Sequence, residues 1–415
     1  MRVPHGVDVG ELPAQVDTVI VESLADITHF PRRTVIAQVT SLADARTAIA
    51  AGAAGLIAKG SEAGGFVGDE TTFMLVQRLV ELGVPVWAQG GIGIHTAAAC
   101  VAGGATGVVL DSQLALLRES TLAADLQSAI AAMDGSETTM IAGHRVYTRP
   151  DLPVAQLGAL DVDGVRARLG GDDLHRNLLP LGQDAAFAKS LAQQMPTVGQ
   201  LVRGIESAIA SHLATAAEFA PLGPHSPLAS AHGMKYPIAQ GPMSRVSDRA
   251  RFADAVAQAG GLPFLALTLM TGAEVRELLR ETQSLLGDRP WGVGILGFVP
   301  PEVREQQLAV LREIPPPVAL IAGGRPSQAH PLEAQGTATY LHVPSPGLLD
   351  LFLKDGARKF VFEGRECGGH VGPRSSFALW ESQLERLLAH PEAGAMSVLF
   401  AGGIHDARSA AMVAA

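Results

Sequence analysis

Cysteine is almost missing from this chain: Cys100 and Cys367 are its only two, far apart in 415 residues. Such a pair builds no disulfide framework and offers no zinc-type spacing, which points to a reducing compartment. Aromatic residues make up only 5% and charged residues 17%, against 47% hydrophobic, the balance of an Ala/Gly-rich α/β protein rather than a disordered one. Cations are outnumbered, 31 Lys and Arg to 41 Asp and Glu. The net charge of −10, with no basic stripe, argues against a nucleic-acid partner. No apolar run approaches membrane length, and the N-terminus has no basic stretch leading into an apolar core. A cytoplasmic protein of roughly two to four domains is expected.

What is abundant is glycine, and its densest placement is informative. Lys359-Phe360-Val361-Phe362 is a short apolar run of buried-strand type. It empties into Glu363-Gly364-Arg365-Glu366-Cys367-Gly368-Gly369-His370-Val371-Gly372, a loop in which bare backbone can lie flat against a planar ligand. The same stretch occurs 304 positions earlier, Gly68 standing for Gly372. Gly52, Gly60, Glu62, Gly64, Gly65 and Val67 fall on Gly356, Gly364, Glu366, Gly368, Gly369 and Val371, and no gap is needed between Thr34 and Phe73. Repetition of this kind has to be settled before any other fold assignment. Phe66 stands where the second copy has His370.

Read in order, 17–22, 34–39, 55–58, 84–89 and 107–110 are strand-like, with helices at Ser41–Ala51, ended by Gly52, at Thr71–Leu82, at His95–Ala102 and from Gln113. Residues 134–232 break the alternation. Gly143–Pro150 is polar and bounded by turn formers, Asp184–Gln194 and Val198–Ala217 are helical, and Pro221–Pro227 is a proline-rich linker. A fresh series then starts, with strands at 237–239, 262–266, 292–296, 318–322, 339–343, 359–362 and 398–401. Strands alternating with helices at this pace predict parallel sheets. The fold class is α/β: a TIM-type (β/α)8 barrel in one near-complete copy and one partial copy, joined by a mainly helical insert. The divisions are 1–133 (strands four to eight), 134–232 (insert and linker) and 233–415 (strands one to seven), so that the polypeptide reads as a segment of a longer protein.

Three segments of the second copy would share one ligand: Gln240-Gly241-Pro242-Met243 after strand one, Glu363–Gly372 after strand six, and Ala401-Gly402-Gly403-Ile404 after strand seven. The last, opening a helix, is a phosphate cradle of free N–H groups. Together and in this order they resemble the nitronate monooxygenase (2-nitropropane dioxygenase-like) family of FMN-dependent barrels, which includes the flavin-dependent enoyl-acyl carrier protein reductases. The resemblance covers residues 236–415 and, in part, 16–118.

The resemblance implies FMN, with NAD(P)H as a transient reductant because no separate Rossmann fingerprint exists. Gln240, Gly241, Pro242 and Met243 match the segment lying against the isoalloxazine, Gly368 and Gly369 the loop packed on the flavin, and Gly402 and Gly403 the phosphate donors. His370 matches the catalytic base. Glu363 joins the expected cofactor contacts, as do Gly294, where the family often has asparagine, and His342, where lysine is common. In the first copy Gln89, Gly90 and Gly91 keep the cradle, but Phe66 moves no proton and Asp111-Ser112 replaces the usual Gly-Thr, so that copy is expected to be non-catalytic. The insert's Leu179–Phe187 segment resembles reductase-like regions of polyketide and polyunsaturated fatty acid synthases. An enoyl-thioester substrate, delivered on an acyl carrier protein, follows from that likeness. Oxidation of a small-molecule nitroalkane and a non-catalytic synthase module are the alternatives.

Simpler roles compete at several positions. Glu363 and Glu366 are candidate catalytic carboxylates, but Glu62 recurs at the Glu366 position with no histidine beside it, which favours a role in holding loop N–H groups. Cys367 has Ala63 as its counterpart, so the position asks only for a small side chain. His342 stands opposite Gln38 and is divided between ligand contact and packing.

Overall fold

The computed structural model describes residues 1–4, 10, 12–148, 159–170 and 176–415. The first sheet is wholly parallel, in the order β1 (Arg2–Val3), β2 (Thr18–Val21), β3 (Thr34–Val39), β4 (Gly55–Lys59), β6 (Val86–Gln89), β7 (Gly107–Val109). Five of these strands lie where the apolar runs place them. The sixth, β1, pairs Arg2 with Ile20 and Val3 with Val21, and two residues are too short to show periodicity. Gly52 ends the Leu42–Ala50 helix at φ +99.

The insert is helical as expected, with Val198–Phe219 its longest element, but it also contains a hairpin. There β8 (Thr138–Ile141) pairs antiparallel with β9 (His144–Tyr147), which also pairs with β5 (Gly65–Phe66) of the first copy's loop. The mostly polar stretch bounded by turn formers thus holds a buried strand, His144–Tyr147; Arg149 and Pro150 lie outside the described residues. Its residues pair with a loop distant in sequence, and that pairing leaves no local alternation to read.

The second sheet runs in sequence order: β10 (Ala239–Gln240), β11 (Leu262–Ala266), β12 (Gly292–Leu296), β13 (Val318–Ala322), β14 (Ala338–His342), β15 (Lys359–Glu363) and β16 (Ser397–Ala401), all parallel. Side chains alternate between two cores, as a pleated strand requires. On β15, Phe360 and Phe362 pack outwards under the helices while Val361 points in. Val361, Tyr340, Leu320 and Phe264 share one interior cluster with Ala239 of β10 and Leu399 and Ala401 of β16. Residues from both edge strands reach one cluster only if the sheet curls, so this is a near-closed barrel. The six-stranded sheet is a half-barrel.

The two copies meet through equivalent helices about a pseudo-two-fold axis. Thr72–Leu79 and Ile94–Ala102 of the first copy face Ser376–Leu388 and Ala407–Ala414 of the second. Phe73 and Phe377, related by the repeat, touch each other with ring centroids 5.2 Å apart. Glu381 then reaches across: its carboxylate accepts the N–H groups of Ile94 (2.7 Å), His95 (3.0 Å) and Thr96 (2.9 Å), closing that helix's N-terminus. Its repeat-equivalent, Gln77, donates to Gly403 O at 3.5 Å. One apolar core therefore runs through both copies.

Phe73→Ala and Phe377→Ala should each lower unfolding free energy by about 3–5 kcal/mol. In the double variant the losses should fall short of their sum by about 0.5–1.5 kcal/mol, the share of the ring contact itself. Strict additivity in denaturant unfolding would contradict the interface described.

Candidate active site at the mouth of the second barrel

The chemistry-bearing residues sit at the C-terminal ends of the second sheet's strands, the end at which a parallel barrel's backbone leaves its ladder and side chains can converge. β15 and β16 are adjacent, with Glu363 in register with Ala401, so the strand-six loop and the Gly402–Gly403 turn begin side by side. The strand-one segment leans over the mouth from the opposite edge. Pro242 lies directly on Gly294, where any Cβ would collide with the proline ring. Gly294 thus makes room for Pro242. Gln240 donates from Nε2 to Phe264 O at 3.3 Å and to Gly241 O, while its Oε1 is buried without a partner among the described residues. Met243 is 42% exposed.

His342, at the end of β14, is only 3% exposed and its Nε2 has no hydrogen-bond partner among the described residues; the Glu363 carboxylate stands 3.5 Å away. Burial, with the neighbouring His370, pushes His342 down to about 4. Burial also raises the Glu363 carboxyl, offset by a hydrogen bond from the Cys367 thiol. His342 is therefore a neutral imidazole at pH 7, able to donate or accept one hydrogen bond, and not half of an ion pair. Burial and Glu363 push the Cys367 thiol up to about 12, so it is no nucleophile. Glu366 Oε2 accepts from Ser376 N (2.8 Å) and Oγ (2.7 Å), tying the loop to the next helix.

His370 is exposed and packs edge-on against Phe298, centroids 4.9 Å apart. Beside it opens a cavity of about 500 Å³ whose wall includes His342, His370, Gly323, Arg325 and Phe352. The wall does not include Gln240–Met243 or Gly402–Gly403. A Cβ at Gly241, Gly368 or Gly369 would meet no atom of the described residues within 4 Å, so these backbone faces are not covered by them. Gly403, at φ +75, has no acceptor on its N–H among the described residues.

The first copy has the same frame, closed. A Cβ on Gly64, the counterpart of Gly368, would lie 2.7 Å from Pro180 O. Phe66 is 51% exposed, holds the hairpin through β5 and meets His144 edge-on. The N–H of Gly91, counterpart of Gly403, donates to the Asp184 carboxyl at 3.1 Å, and Gln113 Nε2 donates to the same oxygen at 3.0 Å. Asp184 is fully buried; burial, then Asp111 and Glu62, pushes it up to about 8. Asp111 accepts from Gln89 Nε2 at 2.9 Å, and Ser112 Oγ from Gly182 N at 2.9 Å. Lys59, at the place of Glu363, is 3% exposed and lowered by burial to about 8.

Sequence reasoning singled out Leu179–Phe187 but not the work of Asp184, whose target lies 93 positions away. It missed Glu381 and Arg374 altogether. The one available signal was Glu381 standing where the repeat has Gln77.

The sequence model of the family described as nitronate monooxygenase matches residues 17–145 and 225–320, together more than half of the chain. Among curated proteins, a nitronate monooxygenase of Pseudomonas aeruginosa is 30% identical over 218 residues, covering 42% of this chain and 61% of that protein. The (3aS,4S,5R,7aS)-5-hydroxy-7a-methyl-1-oxo-octahydro-1H-indene-4-carboxyl-CoA dehydrogenase of Mycobacterium tuberculosis is 29% identical over 193 residues, 45% of this chain and 50% of its own. Among solved structures, FabK from Thermotoga maritima aligns with 28% identity and a TM-score of 0.40, over 45% of this chain and 57% of FabK. The chain thus spans less than two thirds of the length of each of these three proteins. Among the described residues, no helix is long and apolar enough to cross a membrane.

His342 should make stability depend on acid. Its folded value of about 4 lies below the ordinary histidine value of about 6.5, so the unfolded chain binds the extra proton between them. Its contribution is full above about pH 6.5 and is lost as pH falls towards 4, on the order of 3 kcal/mol. Denaturant unfolding of His342→Gln across that window should show a flatter pH profile than the parent; an equal slope would remove the assignment.

Proposed function

Because the chain belongs to the nitronate monooxygenase family, we propose that its second barrel holds FMN and works as an oxidoreductase on an acyl thioester of the enoyl type. One contrast carries this reading: the strand-six glycine face and the Gly403 N–H are open in the second copy, and both are covered in the first. The residues present fit the cofactor in the second copy. Gly402 and Gly403 would take its phosphate, Gly368 and Gly369 its planar ring, and the unpartnered Gln240 Oε1 and His342 Nε2 its polar edge. In the first copy they do not fit, since Asp184 and Pro180 occupy the equivalent places.

Bound there, FMN would supply hydride transfer between a nicotinamide and the substrate double bond. The chain's own part is positional and protonic. His370, at the cavity edge, holds or delivers the proton at the carbon next to the thioester carbonyl. His342 presents a neutral nitrogen, and Glu363 accepts the Cys367 thiol within the loop. The cavity's Leu348, Leu351 and Phe352 form an apolar wall suited to an acyl chain, which favours the thioester over a small nitroalkane. The carboxyl-CoA named for the Mycobacterium tuberculosis relative is in line with that choice. An acyl carrier protein would deliver the substrate. The proposed division remains 1–133, 134–232 and 233–415, and two unpaired cysteines agree with a cytoplasmic setting.

Equilibrium dialysis against FMN should give no more than one flavin per chain. NADPH consumption with crotonyl thioester should exceed oxygen consumption with a nitroalkane, and His370→Ala should lower kcat by about 10²–10⁴-fold while retaining flavin. A protein that stays colourless after FMN supplementation would overturn the enzymatic reading; a faster nitroalkane reaction would transfer it to nitronate chemistry.

A further inference from the structure

The loop carrying His370 is closed at its neck by one backbone bond, Arg365 N–H to Arg374 O at 3.0 Å. Between these residues Gly368, Gly369 and His370 are exposed, so the neck decides where the imidazole stands. Groups outside the second copy hold that neck from behind. Arg374, nearly buried, donates from Nε to Asp134 O at 2.8 Å and forms an ion pair with the Asp134 carboxylate. Gln183 makes two further bonds: its Oε1 accepts Ser375 N–H at 3.0 Å and its Nε2 donates to Pro373 O at 2.8 Å. Ser375 is also the cap of the following helix, its Oγ accepting Ala378 N–H at 3.3 Å.

Gln183 can do this because its own backbone is fastened to the first copy. Gln183 N–H donates to Glu62 O at 2.8 Å, and Gly182 N–H to Ser112 Oγ at 2.9 Å. The next residue, Asp184, turns the opposite way and sits on Gly91 N–H and Gln113 Nε2. Gln183 and Asp184 are both buried, so neither is a solvent contact that water would replace. The geometry points to a strut: Asp184, as a permanent internal occupant of the first copy's anion cradle, anchors Gln183, and Gln183 positions the His370 loop of the second copy. The closed copy then has a task in the open copy's chemistry. Gln183 is a positioning residue that touches no reacting atom, and only the kinetic part of this inference rests on the function proposed above.

The full chain and three variants test it by hydrogen–deuterium exchange, followed by steady-state kinetics with crotonyl thioester and NADPH. Gln183→Ala should speed exchange of the Ser375 amide at least tenfold, with the interior of the Ser376–Leu388 helix unchanged. Asp184→Ala, which touches no residue of the loop, should speed the same amide at least threefold. Asp184→Asn keeps an acceptor for Gly91 N–H and should restore the parent rate; it also serves if the alanine variant does not fold. In Gln183→Ala kcat should fall while KM holds, with flavin retained. Parent-like Ser375 exchange in Gln183→Ala or Asp184→Ala, or an Asp184→Asn rate unlike the parent's, sinks the strut. Exchange changes in a chain with no flavin and no turnover leave the strut standing and remove the proposed function instead.

Discussion

At Gly91 and Gly403 each copy leaves its backbone bare because a phenylalanine of the other copy lies on it. A Cβ at Gly91 would come within 2.8 Å of the Phe377 Cβ, and one at Gly403 within 2.9 Å of the Phe73 ring and 2.7 Å of the Met74 sulfur. Both glycines also take positive φ, which the turn into the next helix requires. The turns that could receive an anion are thus the turns through which the copies touch. The rest of the arrangement hangs on this double use: the paired phenylalanines, the carboxylate of Glu381 on the Ile94–Ala102 helix, and the single core shared by both halves.

Two copies with one frame have diverged by what covers them. Glu62 and Glu366 still do the same work, each accepting the first N–H of the helix after strand six, at Thr72 and Ser376. Thr72 and Ser376 both carry hydroxyls beside the turn glycine, Thr72 Oγ1 donating to Gln89 O and Ser376 Oγ to Gly402 O. The difference comes from outside the repeat. The insert brings Pro180 onto Gly64 and the Asp184 carboxyl onto Gly91, and its hairpin takes up Phe66. A buried donor set that is filled costs nothing further, whereas an open one invites a ligand.

Much of this was legible in the sequence because it is local. Strands buried on both faces read as apolar runs, so Leu262–Ala266, Gly292–Leu296 and Val318–Ala322 lie where periodicity places them. The repeat exposed the strand-six loops and marked Phe66 against His370. Illegible features were those made by contacts between distant segments. Gln183 meets residues about 190 positions away, and Glu381 caps a helix 287 positions earlier. Nothing in their neighbours' spacing announces either. The β9 strand is a mixed case: its pairing with β8 is local, but its second partner, Phe66, lies far away in sequence. Gly294 was matched to an asparagine position, but what fills the space there is the Pro242 ring, a fact of three-dimensional packing alone.

Asp184 cannot diffuse away from Gly91, because both belong to one polypeptide. A dissociable cofactor stabilises the fold that binds it only in proportion to how far its concentration exceeds its dissociation constant. A tethered side chain presents a constant effective concentration. One half of this molecule is in that sense saturated from the moment it folds, indifferent to cellular supply, while the other half, on the function proposed above, would gain rigidity only when its ligand arrives. Scarcity of the cofactor would therefore soften the molecule on one side of the pseudo-two-fold axis only.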